Sequence, residues 1–233
     1  MRRKQWEFVM ISQALLESGV LIPGKYGLGF GVSKEPLPSL FASFGCNITV
    51  TDQIANEETL KEWEIVVSCK ALNDRNICSQ ELFDNLVEFY NVDMKNIPKS
   101  LFEKYDFIWS SWALEHIDTL QDGLDFIYSS LNCLKPGGWA IHTTEYNISS
   151  NDHTLVSKPC VYRRCDIEAM KKKLEKDGNY VEFIDFERGD MEFDRYIDKP
   201  PYGDSPHINL AVDDLTNATS IIIMVRKGYS SIP

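Results

Sequence analysis

Three apolar runs in the middle of the chain end in short polar side chains. NITVTD ends at Asp52, LVEFYN is followed by Val92 and Asp93, and DFIWSS ends in Ser110 and Ser111. Read as strands of an open α/β sheet, these runs place their polar residues beyond the strands' carboxyl ends, where such sheets bind ligands. An ionised aspartate only accepts hydrogen bonds, so Asp52 at a strand end suits the two hydroxyls of a ribose. A further run, KYGLGF, leads through Gly27 and Gly29 to Gly31, where missing side chains let backbone approach a ligand closely. Val32 stands where the G-x-G-x-x-G dinucleotide fingerprint needs glycine. The combination predicts a nucleoside-binding α/β enzyme.

Several groups near these strand ends could move protons or hold an anion. His116 follows the DFIWSS run, Glu145 ends the WAIHTTE run, and His207 lies in PPYGDSPHINL. A histidine titrates near neutral pH and a carboxylate can serve as a base, so each is a candidate general base. A histidine at a helix start can equally be a capping or packing residue. Arg163 and Arg164 in VYRRCD carry planar forks that match carboxylate or phosphate, which hints at an anionic acceptor. Solvated surface charge is the alternative for both. Glu35 could offer a carboxylate to a ligand or favour a helix dipole. No His, Asp and Glu cluster has convincing ligand spacing, and His207 near Asp204 is the one pair to suspect, so metal-independent chemistry is expected.

The elements that must position these groups read as one domain. Residues 1–24 form an amphipathic helix ended by Gly19, and 25–145 alternate strands and helices as a parallel sheet requires. Pro36 and Pro38 belong to the first turn of a helix that starts close to Glu35. Residues 55–85 read as helix and loop, and 113–134 have helical spacing. Pro136-Gly137-Gly138 turns the chain into WAIHTTE. Residues 146–217 supply a helix (DIEAMKKKLEKDGN), a strand (YVEFIDF) and a long polar stretch from 187, with Tyr202, that reads as an acceptor lid. Residues 218–233 hold the last strand, TSIIIMVRK, and the tail.

Bulk properties exclude several classes. With 233 residues, 43% hydrophobic and 25% charged, the chain is long enough for a real core. A net charge of −11 argues against a nucleic-acid partner. The six cysteines form no C-x-x-C pair and read as buried free thiols. The basic-then-apolar N-terminus is interrupted by Glu7, Gln13 and Glu17, unlike a signal peptide. No run reaches membrane-spanning length, and the expected compartment is the cytoplasm.

VDMKNIP, DFIWSSWALEHI and LKPGG, in this order after NITVTD, resemble the class I S-adenosylmethionine-dependent methyltransferases over residues 25–145. The G-F-G-V-x-x-E-P loop is similar to that of a bacterial subgroup associated with surface-glycan gene clusters. The resemblance implies a Rossmann-like, doubly wound, seven-stranded sheet with an antiparallel last strand. It implies S-adenosyl-L-methionine as cofactor and O-methylation of a sugar, sugar phosphate or glycan-linked group. Asp93 then accepts from the adenine amino group and Met94 packs on the ring. Ser110 and Trp112 line the methionine arm, although Trp112 could equally be core. His116 matches a position that faces the acceptor. The family usually has an acid two residues before its first loop glycine. If that glycine is Gly31, Gly29 stands in the acid's place, Ser33 replaces a second glycine, and Glu35 is the substitute carboxylate. Two other readings stand beside this one: a nicotinamide-dependent Rossmann oxidoreductase or epimerase, and a non-catalytic cofactor-binding partner subunit. The first lacks both its glycine fingerprint and a Tyr-x-x-x-Lys pair. The departures in the first loop keep the second open.

Overall fold

The computed structural model describes residues 3–53, 70–203 and 207–229. Five parallel strands form the centre of the sheet in the order β3-β2-β1-β4-β5: β1 Tyr26–Phe30, β2 Asn47–Asp52, β3 Val87–Asn91, β4 Tyr105–Ser111 and β5 Leu134–Asn147. Along β4, Phe107 and Trp109 enter one core layer and Ile108 the other, the two-residue alternation of a strand. With helices on both faces, these strands read as continuous apolar runs.

One layer is covered by α1 (Arg3–Glu17), α2 (Leu37–Ser43) and α3 (Gln80–Leu86), through Ile11, Leu15, Leu37, Phe41 and Phe83. Phe41 meets Phe107 and Trp109 edge-on, at centroid distances of 5.6 and 5.1 Å. The other layer is covered by α4 (Leu120–Ser130) and α5 (Arg164–Lys176), through Phe126, Ile127, Ile167, Met170 and Leu174. The helix expected over 113–134 is divided. Leu114–His116 is a separate 3-10 turn, because Thr119 and Asp122 form a capping box that starts α4 at Leu120. That break leaves His116 in a short turn beyond the carboxyl end of β4 rather than inside a long helix.

Beyond β5 the sheet turns antiparallel, as expected. β9 (Asn217–Arg226) pairs with β5, and β6 (Tyr180–Val181) pairs with β9. These complete seven strands. Two short ones, β7 (Ile197–Asp198) and β8 (Asn209–Ala211), extend the edge to nine strands among the described residues. The strand expected over YVEFIDF is only its first two residues. The Pro136-Gly137-Gly138 turn is absorbed into the start of β5, with a register shift against β4 and Gly137 at φ +79°. The described residues of 187–217, expected as a lid, include α6 (Glu192–Arg195), β7 and β8 at the far edge, and Asn209 Nδ2 donates to the carbonyls of Asp194 and Tyr196. The reading of 55–69 as helix and loop lies outside the described residues.

Candidate active site

A cleft of about 810 Å³ opens beyond the carboxyl ends of β1 to β4. Seven of the expected site residues line it: Gly31, Glu35, Asp52, Asp93, Met94, Trp112 and His116. Each sits where a strand hands over to a loop, so separate segments meet at one place.

The inner end is acidic. Gly31 takes φ +62°, and a side chain there would lie 2.8 Å from the Ala113 Cβ and 3.6 Å from the Met94 sulfur. Only glycine keeps this corner open. The Asp52 Oδ1 accepts from the Gln53 amide at 2.7 Å, and burial pushes its carboxyl up to about 6. Asp52 can therefore accept further hydrogen bonds from a bound diol. Asp93 caps its own turn, its Oδ1 accepting from the Lys95 amide at 2.9 Å, beside the half-buried Met94. Glu35 is 5% exposed, and its Oε1 accepts from the Trp109 indole at 2.6 Å. Burial pushes its carboxyl up to about 8, against the opposing pull of the Trp109 hydrogen bond. Glu35 is thus a neutral acid at pH 7 that a bound ammonium would ionise.

The outer end is built around Trp112, which holds φ +52°. A bulky residue there costs on the order of 1–3 kcal/mol. Its indole Nε1 donates to Glu145 Oε1 at 2.8 Å, which fixes the ring. The His116 ring meets Trp112 edge-on at 5.0 Å and is exposed to the cleft. Partial burial, then the charges of Lys4 and Lys158, lower the His116 pKa below the ordinary value. A neutral imidazole at the rim can take a proton from a hydroxyl.

The other expected residues stand elsewhere. Gly29 lies inside β1, where a Cβ would come within 2.4 Å of Trp109 and Val32; its glycine serves packing. Ser110 is fully buried on the sheet's opposite face, its Oγ 2.8 Å from His142 Nδ1. Glu145 is 5% exposed and both oxygens are engaged, one by Trp112 and the other by Arg3 Nη1 at 2.7 Å. It positions Trp112 and does not line the cleft. His207 Nδ1 lies 2.9 Å from Asp198 Oδ2, within ion-pair distance but without hydrogen-bond alignment, and away from the cleft. Tyr202 donates to the Ala211 carbonyl at 2.9 Å. Arg163 forks onto Asp166 with two bonds of 2.8 Å, and Arg164 pairs with Glu168 at 2.8 Å. Each arginine holds a carboxylate one turn along the chain, and neither lines the cleft. Asp204, the suspected partner of His207 at a metal, lies outside the described residues.

Sequence reasoning missed what α1 contributes. Lys4 and Phe8 line the cleft, and Glu7 is fully buried between α1 and the strand ends. Its carboxylate accepts from Ser111 Oγ and Thr143 Oγ1, both at 3.1 Å, and from Ser220 Oγ. The signal was available: Arg3, Glu7, Ile11 and Ala14 recur at helical spacing, so both charges belong to the apolar stripe. Ser111, rather than Ser110, reaches the cleft, because alternate strand residues face opposite sides.

No protein-family model matches the sequence, and no curated protein matches it. Solved structures do. Magnesium protoporphyrin IX methyltransferase from Synechocystis PCC 6803, with bound S-adenosylhomocysteine, superposes with a TM-score of 0.58 at 14% identity, over 97% of this chain and 83% of that one. Haemonchus contortus phosphoethanolamine N-methyltransferase 2, in complex with S-adenosyl-L-methionine, gives 0.54 at 14% identity over 94% of this chain. The fold is that of the class I S-adenosylmethionine-dependent methyltransferases. This chain spans 53% of the length of the Haemonchus protein. A Rhodobacter sphaeroides protein, a proposed zinc-dependent alcohol dehydrogenase, superposes as well, with a TM-score of 0.57 at 13% identity over 94% of this chain and 90% of that one. Likeness at such identities establishes fold and leaves activity to the site.

Proposed function

We propose that the protein is an S-adenosylmethionine-dependent methyltransferase acting on a hydroxyl of a small polar acceptor, with a sugar, sugar phosphate or glycan-linked group as the acceptor class. The observation that carries this reading is the convergence of Gly31, Asp52 and Asp93 in one cleft with Trp112 and His116 at its mouth. These residues fit the cofactor. Asp52 offers acceptor oxygens to the ribose hydroxyls, Asp93 and Met94 flank the adenine position, and Glu35 faces the same cleft as a latent partner for the methionine ammonium. When bound, the cofactor supplies an electrophilic methyl group on a sulfonium.

The chain's own contribution is orientation and proton transfer. Holding acceptor and donor in line can supply much of the acceleration. Trp112, fixed by Glu145, forms the wall against which an acceptor ring can lie. His116 takes the acceptor's hydroxyl proton as the oxygen is alkylated, and returns it to solvent across the open rim.

A nicotinamide-dependent reading is disfavoured because Val32 is buried against Gly29, at the place of the third fingerprint glycine. Calorimetric titration with S-adenosylmethionine, S-adenosylhomocysteine and NAD separates the two. Asp52→Ala and Asp93→Ala should each weaken S-adenosylmethionine binding by about 1.5–3 kcal/mol while leaving the circular-dichroism spectrum unchanged. Binding of NAD alone, or unchanged affinity in both variants, sinks the assignment.

A further inference from the structure

The mouth of the cleft carries positive charge that no cofactor role uses. Lys4, Lys95 and Lys158 line the cleft with His116, as do Lys34 and the carboxyl groups of Glu35, Asp52, Asp93 and Asp118. Lys95 and Lys158 share a single carboxylate, Asp118, with Lys158 Nζ 2.8 Å from its Oδ1. Lys95 also lies in the field of Asp93 and Asp122. Among the described residues Lys4 makes no ion pair, and its Nζ lies 4.3 Å from the centre of the Trp112 ring. The Lys158 side chain is 54% exposed, so it can swing from Asp118 to a ligand at small cost. Lys4 and Lys158 line the same cleft as His116, and both charges lower its pKa.

We propose that Lys4 and Lys158 form an anion site at the mouth of the cleft, which holds a phosphate or carboxylate group of the acceptor beside His116. The proposal rests on the methyltransferase reading, and it moves anion recognition from the arginines of α5 to α1 and the loop after β5. Lysine suits the role: a compact charge on a flexible stem meets phosphate or carboxylate oxygens without demanding a fork geometry. The Lys4 ammonium itself lies over the Trp112 ring, so it is placed before the acceptor arrives. An acceptor held at its anionic end presents a neighbouring hydroxyl to His116.

The test titrates inorganic phosphate, and separately acetate, into the full-length protein saturated with S-adenosylhomocysteine, following the histidine and lysine side-chain resonances by NMR. Wild type should bind at least one of the two anions, with the His116 resonances shifting. Lys4→Met together with Lys158→Gln should weaken that binding by roughly tenfold or more. Arg163→Gln and Arg164→Gln should leave it unchanged. S-adenosylhomocysteine affinity, measured first in every variant, reports on folding and on the cofactor reading. Lys158→Gln alone, a change at an exposed side chain, should weaken anion binding severalfold and guards against a misfolded double variant. Phosphate binding more tightly than acetate, or the reverse, tells which anion the acceptor carries and supports the site in either case. Equal anion affinity in wild type and both lysine variants, or loss in the arginine variants instead, overturns it. Failure of wild type to bind S-adenosylhomocysteine overturns the methyltransferase reading, a result separate from the anion titration.

Discussion

His116 and Glu35 make the sharpest claims at the scale of single residues. His116 is the one candidate base that faces the cleft, and its pKa is lowered from the ordinary value. The acid limb of kcat should therefore fall below pH about 6.5. His116→Gln should lower kcat by about 10²–10⁴-fold and abolish that limb, with S-adenosylmethionine affinity unchanged. A variant with full rate would remove His116 from the mechanism. Glu35 makes a claim about stability. Its folded carboxyl is raised to about 8 from an ordinary 4.5, so the folded state holds a proton that the unfolded chain has lost between those values. The stabilisation is complete below pH about 4.5 and is lost as pH rises through about 8. Urea unfolding at pH 5 and pH 8 should show wild type losing more stability than Glu35→Gln, by a difference on the order of a few kcal/mol. Parallel losses would mean that Glu35 is ionised throughout.

At the scale of elements, the loop after β1 separates glycines that look alike in the sequence. Gly29→Ala forces a methyl group against Trp109 and Val32 inside the sheet. It should cost about 1–3 kcal/mol of stability and leave cofactor affinity intact below the melting temperature. Gly31→Ala strains a positive φ at the cleft itself, so it should weaken S-adenosylmethionine binding more than it lowers stability. Thermal melts and titrations of both variants check the pair, and the reverse pattern would place the ligand against β1. The N-terminal helix belongs to this scale too. Glu7 and the Arg3–Glu145 ion pair fasten α1 across β4, β5 and β9, and so make it a wall of the cleft.

For the whole molecule, the two-faced sheet and its cleft should respond to ligand as one cooperative unit. S-adenosylhomocysteine at about 100 times its dissociation constant should add roughly 2.7 kcal/mol, which for a chain of this size raises Tm by roughly 5–10 °C. NAD at the same concentration should produce no shift. Calorimetry with each ligand decides this, and a shift with NAD alone would transfer the cleft to a dinucleotide.

Much of this architecture was legible in the residues. Asp52, Asp93, Trp112 and His116 follow apolar runs, and the open-sheet rule sends whatever follows such a run to the same end of the sheet. The antiparallel last strand was implied by the resemblance to the class I methyltransferases and pairs with β5. What the sequence could not decide was facing and pairing. Ser110 and Ser111 are neighbours of one type, and only the strand's register puts Ser111 in the cleft and Ser110 against His142. Arg163 and Arg164 look free until α5 forms and brings Asp166 and Glu168 one turn away. Lys4 lies more than a hundred residues from His116 and comes beside it only when α1 packs over the strand ends. Local pattern determines which elements form. Contacts between distant segments are set by burial and charge pairing across the assembled sheet, and those exist only once the chain has folded.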